Sequence, residues 1–411
     1  MSTAALTDPR QRSLRAAWSH GVGKELVADP GQPRADGLPD ASGPQVHDLW
    51  PEATAEHVLR AVRAAVLPTR WDDWSGYNAH RPFPSARAKQ AHSVHFRAGA
   101  IQARVDEVRG VLVDHRPVGE PGYGVLVRAE PDALPAGYGP IRYAIASLEA
   151  GHVVGALLER FDEQGLTVRR RLDLSDVQRP GMWLSPSASL SAVVAMVAPP
   201  VDSVRWARRC SGLDPRGLAP DPRPIPPSTW AQFVSSAPVS QPALRHRLAI
   251  HRVDGVESGV WESAPDGLTL IRRGEVQHVV ARAFRAPPDA VRVSAMNVVW
   301  GISAPLATAR GERDYPATLF AAGIAAQQVC RSAASVGMFA RPVRGVDEPD
   351  VEAALQVPPD EDLIYTVLLG RPRVHGFTYD LSPVSAPPSP PGVGIPPASL
   401  EHTAYHQEVQ P

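Results

Sequence analysis

The residue types able to do chemistry are spread unevenly along this chain. Only two lysines occur, Lys24 and Lys89, and arginine supplies the rest of the positive charge. A lysine kept against such a background is either a chemical group or an ordinary surface residue. His92 and His95 stand three apart in HSVH. On a strand, residues i and i+3 point to opposite faces, so this pair does not make a metal site. His402 and His406 in HTAYH have helical ligand spacing but fall in a proline-rich tail. Cys210 and Cys330 are far apart and lack C-x-x-C spacing, which argues against a disulfide framework and a cysteine zinc site. The chain has no Walker loop, no G-x-G-x-x-G after a strand and no G-x-S-x-G elbow.

Composition narrows the classes further. The 411 residues are 43% apolar and 21% charged, with a formal net charge of -1. That supports a sizeable core in one or two domains. It argues against a nucleic-acid binder driven by a basic field. The start, MSTAALTDPRQRSLRAAW, has no apolar signal core. The longest apolar run, LSAVVAMVAPPV, is too short to span a bilayer and carries two prolines. The expectation is a soluble cytoplasmic protein without a membrane segment.

Several elements are needed to position these residues. Residues 28–45 read as a loop. TAEHVLRAVRAAVL places Val58, Leu59, Val62, Ala65 and Val66 at helical spacing, with Thr54 as N-cap. HSVHF and VRGVLVDHR read as strands. A domain boundary is expected near residues 198–205. Beyond it, TWAQFVSSA predicts a short helix. RLAIHRVDGVESGVWES, GLTLIRRG, AVRVSAMNVVWGI and EDLIYTVLLGRPR predict strands. From about Ser382 the composition is that of a disordered tail.

Two long helical patterns are unusual in carrying internal glycine, which costs a helix about 1 kcal/mol relative to alanine. They are RYAIASLEAGHVVGALLERFDEQGL and DYPATLFAAGIAAQQVCRSAASVGM. At an offset of 172, Tyr143 matches Tyr315, Ala150 matches Ala322, Gly151 matches Gly323, Gly165 matches Gly337 and Arg169 matches Arg341. Gly155 has Gln327 as its counterpart. A weaker repeat at an offset of 156 pairs His95 with His251. The ordered matches predict an ancient duplication. The small residues predict two helices that approach closely, either across an internal pseudo-dimer or each within its own domain.

The segment from Tyr138 to Leu166 resembles the central helix of the nitroreductase-like flavoproteins. In particular it resembles that of the azoline dehydrogenases of the streptolysin and microcin B17 type, through Tyr138, Gly139, Tyr143, Glu149, Ala150, Gly151 and His152. PFPSARAKQAH resembles the family's Pro-Ser-Ala-Gly-Ala loop through Pro84, Ser85, Ala86 and Ala88, with Arg87 as a departure. IHRVDGVESGVWE resembles its Val-Asp-Gly hairpin, and VRGVDEPDVEAALQVPPDEDLIYTVLLGRPR its closing helix and strand.

The resemblance implies an α+β fold of tandem nitroreductase-like repeats. Each repeat is a central antiparallel sheet wrapped by helices, and the two form an internal pseudo-dimer. The expected division is 1–200, 201–381 and a tail over 382–411. FMN would bind at the interface, and the reaction would oxidise azoline rings to azoles in a ribosomally made peptide. The implied partners are a precursor peptide and a cyclodehydratase, and a homodimer is allowed. FMN needs arginine forks for its phosphate and a positive charge near its ring edge. Two clusters resemble the family's phosphate-binding start: Arg208, Arg209 and Ser211, or Arg12 and Arg15. Ser85 and Ala86 would approach from the other half. Arg371 and Arg373 in GRPR either reach the cofactor or are solvated at a strand end. Gly337 completes the cofactor-binding candidates. The family's Lys-Tyr pair appears here as Gly137-Tyr138. Tyr138 is therefore the first candidate for proton transfer, with Lys89 as substitute. His152 reads as a satisfied core histidine, and Glu149 either bonds backbone or faces solvent. Two other readings remain: an oxidase of the same fold with another substrate, and a degenerate repeat without flavin that serves as scaffold or peptide-binding partner.

Overall fold

The computed structural model describes residues 52–71, 79–86, 89–108, 110–188, 220–240, 243–284, 292–306, 314–372 and 379–380. The expected boundary at 198–205 and the tail lie outside them.

Helix α1 (Glu52–Val66) buries Val58, Leu59, Ala61, Val62, Ala65 and Val66, the face its spacing predicted. It starts two residues before Thr54, so that residue lies inside the helix and not at the expected cap. Short strands β1 (Arg70–Trp71) and β2 (Ala79–His80) follow. The first large sheet contains β3 (His92–Asp106), β4 (Val111–Ala129), β5 (Leu166–Asp173) and β6 (Gly181–Ala188), in the order β3-β4-β6-β5. The long helix α2 (Ile141–Glu163) connects β4 to β5.

The later part of the chain begins with α3 (Pro227–Ser236), the predicted short helix, and then β7 (Arg245–Ile250), β8 (Gly259–Ala264) and β9 (Gly267–Arg273). Helix α4 (Gln277–Ala283), which the sequence pattern did not reveal, leads to β10 (Val298–Ala304). Helix α5 (Asp314–Ser335), β11 (Phe339–Val343), α6 (Glu348–Leu355) and β12 (Asp362–Gly370) complete this part. The sheet order is β11-β12-β10-β7-β8-β9. Strand β13 (Tyr379–Asp380) returns to pair with β1 in a small sheet ordered β13-β1-β2.

The two large sheets share a plan. In the first, strand, long helix, edge strand and inner strand run β4-α2-β5-β6. In the second they run β10-α5-β11-β12, with α6 inserted before β12. Glycines at offset 172 do equal work here: Gly165 and Gly337 each follow their helix with positive φ, at 67° and 75°. Each thus ends its helix in the left-handed conformation glycine tolerates.

Helices α2 and α5 pack directly on each other. A Cβ added to Gly151 would meet the Phe320 carbonyl oxygen at 2.6 Å and the Gly323 Cα at 2.9 Å. One added to Gly323 would strike the Leu148 carbonyl oxygen. Close approach therefore requires glycine at both positions, and this accounts for the helix breakers. Near the N-terminal ends of the two helices, Tyr143 and Tyr315 stack with centroids 6.3 Å apart. The cores interpenetrate. Phe320 of α5 packs with α1, β3 and β4, whereas Tyr143, Ala144 and Leu148 of α2 pack with Trp300 and Ile302 of β10. Strand β10 is buried throughout because α5 covers one face and α4 with α6 the other. By length and composition α2 could cross a membrane, but 78% of its most apolar window is buried inside the fold.

Candidate functional site

Four ionisable side chains meet beneath the loop that joins β2 to β3. Glu149, on the buried face of α2, accepts the Ala86 backbone N–H through Oε2 at 3.1 Å. Its Oε1 lies 2.8 Å from His92 Nδ1. His92 Nε2 lies 3.0 Å from Glu107 Oε2, just past the end of β3. Arg81 approaches Glu107 at 3.7 Å. The His92 side chain has no solvent exposure and that of Glu149 has 3%. Burial alone would push the imidazole toward its neutral form. The charge of Glu107, its hydrogen bond and the same contributions from Glu149 outweigh that, raising His92 to about 9. His92 is therefore an imidazolium that donates from both nitrogens. With Arg81 it balances two carboxylates in a buried, formally neutral quartet.

The loop carrying Pro84, Ser85 and Ala86 is fastened at several points. Gln90 donates its N–H to Ser85 Oγ at 2.9 Å, with Gln90 itself at φ 52°. Phe83 sets its ring edge-on to His92 at 5.1 Å. From α5, Gln327 donates through Nε2 to the Pro82 carbonyl at 2.9 Å. The same Gln327 places Oε1 3.1 Å from His152 Nδ1, and His152 Nε2 lies 3.3 Å from the Tyr365 hydroxyl. Burial lowers His152 to about 4, partly offset by Gln327. His152 is thus a neutral, satisfied core histidine, as its helical position suggested. Glu149 bonds backbone, the first of its two expected roles.

The expected site residues divide into three groups. Ser85 and Ala86 belong to the fastened loop, and Lys89 follows it with its N–H bonded to the Ala86 carbonyl at 3.1 Å. Tyr138 is half-buried and closes a single 3-10 turn, Ala136–Tyr138, just before α2. Arg371 lies at the end of β12. It donates to the Pro224 carbonyl at 2.7 Å and faces Asp221 at 3.9 Å, so part of its fork ties the chain together at a strand end. Gly337 follows α5 with φ 75°. It ends α5, its N–H bonds to Ala334, and nothing lies within 4 Å of where a Cβ would stand. A helix C-terminus also carries partial negative charge, the wrong sign for a phosphate. Arg12, Arg15, Arg208, Arg209, Ser211 and Arg373 lie outside the described residues.

One wall of the arrangement fits a flavin. The loop is held from its inner side by Glu149 and Gln327, which leaves the Ser85 hydroxyl hydrogen able to donate outward. Arg371 retains donors beyond the one that binds Pro224. Further along the α2–α5 seam a cleft of about 540 Å³ opens between Gly155, Glu159, Ile324, Gln328 and Arg331. It contains none of the predicted residues.

Sequence reasoning missed Arg81, Glu107 and the role of His92. The signal for His92 was present: a histidine on a strand, set aside only as a metal ligand. Gln327 had registered as a glycine that failed to repeat.

Comparison with known proteins bears on the fold. Residues 253–371 match the model of the Nitroreductase family. An Anabaena variabilis protein assigned to the nitroreductases shares the fold over 81% of this chain and 90% of its own, with a TM-score of 0.63 at 14% identity. A Ralstonia eutropha protein so assigned overlaps 44% of this chain and 87% of its own, at 16% identity and a TM-score of 0.32. The microcin synthetase complex of E. coli, with a truncated precursor bound, overlaps 43% of this chain and 74% of its own, at 13% identity and a TM-score of 0.33. No curated protein matches the chain in sequence. Residues 253–371 thus match the Nitroreductase family model, and the chain shares the α+β fold of the Anabaena protein.

Proposed function

We propose that the protein is an FMN-dependent dehydrogenase that oxidises azoline rings to azoles in a ribosomally made peptide. In this reading, residues 1–200 and 201–381 are two nitroreductase-like repeats that meet as an internal pseudo-dimer along α2 and α5. The observation that carries the reading is the hydrogen bond from Ala86 to Glu149. The two sequence stretches that most resemble azoline dehydrogenases, the Pro-Ser-Ala loop and the Glu-Ala-Gly-His helix, hold each other there.

FMN, when bound, supplies the electron acceptor. The chain's own residues do the rest. Ser85 and the Ala86 backbone form one wall of the ring slot, kept in place by Glu149 and Gln327. Arginine forks, from Arg208 and Arg209 or from Arg12 and Arg15, hold the phosphate, with Arg371 at the strand end and Arg373 as further cofactor contacts. The Tyr138 hydroxyl moves the Cα proton of the azoline, with Lys89 as its substitute. A precursor peptide is the substrate, a cyclodehydratase supplies the azoline, and the setting is cytoplasmic.

A second reading has one observation in its favour: Gly137 stands where the resembled family has lysine. On that reading the fold has lost flavin and serves as a scaffold or peptide-binding partner. An absorbance spectrum of the purified protein separates the two. Flavin bands, together with loss of two hydrogens from an azoline peptide by mass, support the dehydrogenase. Flavin bands without that mass change point to an oxidase with another substrate, and a colourless protein that FMN does not reconstitute leaves the scaffold.

A further inference from the structure

Strand β5 ends the first large sheet, and among the described residues it pairs only with β6. Among the described residues its outer edge therefore presents unpaired backbone groups, a template for another strand. Three consecutive arginines occupy it: Arg169, Arg170 and Arg171, all exposed. Among the described residues no carboxylate pairs with any of them, in contrast to other arginines of this sheet and of α2. Arg104 pairs with Asp114, Arg128 with Asp173 and Arg160 with Glu163. In a chain of net charge -1, this is a local excess of one sign at a free edge.

The faces of the strand are also ordered. Arg171 pairs in register with Trp183, which pairs with Leu126 and through it with His95. Arg169 and Arg171 share that outer face, where Arg97 lies over the Trp183 ring at 5.1 Å. His95 shares this face. Burial first, and then Arg128, Arg116 and Arg104, lower His95 to about 4. On the opposite face Val168 and Leu172 are half-buried against the core of α1 and α2, with Arg170 between them. A strand added to this edge would meet Arg169, Arg171 and the Arg128-paired Asp173 on one face, and Arg170 flanked by Val168 and Leu172 on the other.

We propose that the free edge of β5 takes an extended acidic segment of a partner polypeptide as an added strand. Backbone bonds to Leu166–Asp173 give affinity, and carboxylates at alternate positions face Arg169 and Arg171. Arginine on an edge also discourages promiscuous pairing. Here that same charge selects an acidic occupant over a neutral or basic one. The proposal does not depend on flavin chemistry, and its test needs no turnover.

The test uses the full chain and a fluorescein-labelled nine-residue peptide in which glutamate and valine alternate. Controls are the lysine–valine counterpart, a scrambled peptide of the same composition, and the Glu–Val peptide with a central proline. Anisotropy should report binding of the alternating acidic peptide alone, weakening as salt is raised. The Arg169→Glu/Arg171→Glu variant should lose at least about tenfold in affinity, since like charges then face each other across the strands. Both positions are exposed, and an unchanged circular dichroism spectrum and melting temperature would show that the variant is folded. Equal binding of the scrambled or proline peptide would overturn strand addition. Undiminished binding by the double variant, or no binding at all, would overturn the site. Self-association in sedimentation that the double variant abolishes, with no peptide binding, would assign the edge to a second copy instead.

Discussion

Gly155 faces Gln327 across the α2–α5 seam, and the two occupy the same position along their helices. A Cβ at Gly155 would stand 2.9 Å from the Gln327 Cβ. The glycine that fails to repeat is therefore the space in which its counterpart's side chain lies. That side chain then reaches both His152 and Pro82. Gln327→Ala should cost about 1–3 kcal/mol, because it strands two buried polar groups. Combined with His152→Leu the costs should be clearly non-additive in urea titration, since the residues share one network. Additive costs would mean that the network is not coupled.

The crossing itself can be probed with alanine. Gly151→Ala should gain about 1 kcal/mol of helix propensity in isolation. The contact with Phe320 and Gly323 opposes this with an overpacking cost of roughly 1–3 kcal/mol or more. Net destabilisation is expected at Gly151 and at Gly323. At Gly337 the space is open, and only the left-handed backbone penalises alanine, by about 1 kcal/mol. Denaturant midpoints that rank Gly337→Ala as the most harmful of the three would contradict this packing.

Glu149 offers a separation of structure from chemistry. Glu149→Ala leaves a buried imidazolium facing one carboxylate fewer, and breaking such a pair costs about 3–5 kcal/mol. Glu149→Gln keeps the shape and an acceptor for Ala86. It should lower the His92 pKa from about 9, readable by NMR titration of the ring. Should the loop form a flavin wall, the Gln variant also binds FMN more weakly, as a shift in the fluorescence titration midpoint. An unmoved His92 titration would show that Glu149 does not hold the proton.

The histidines predict opposite pH slopes. His92 titrates near 9 in the fold against 6.5 in the unfolded chain. Its contribution is complete below about 6.5 and disappears as pH rises to about 9, at most about 3 kcal/mol. His152 and His246 are held down to about 4 by burial. They stabilise above 6.5, and that support declines as pH falls toward 4. Thermal melts should therefore peak near pH 6–7. His92→Asn should flatten the alkaline side and leave the acid side in place.

On the dehydrogenase reading, Tyr138→Phe should lower azole formation by about 10²–10⁴-fold, the usual range for general acid–base catalysis. The flavin spectrum should not change. Full activity in that variant, with Lys89→Met inactive, would transfer the role to Lys89.

Much of this fold could be read in advance because its reasons are local. The α1 stripe, the strands around glycine turns and the helix glycines each follow from periodicity or from the absence of a Cβ. Helix α4 was missed because seven residues give too short a period. The loop fastening was missed for a different reason. Glu149, His92 and Glu107 lie on three elements, and only the folded chain makes their charges neighbours. The phosphate candidates at Arg12 and Arg208 rest on short arginine patterns, and no packing argument tells a ligand fork from a solvated one.

The unequal crossing of α2 and α5 also determines which surfaces can mate. Pairing α2 with another α2 would set two glycines opposite each other and leave a void. Pairing α5 with another α5 would force two glutamines into one slot. Each rod is therefore suited to the other and not to a second copy of itself, so the two are not interchangeable. Carrying both on one polypeptide guarantees that they are made in equal number and meet in the only combination that closes.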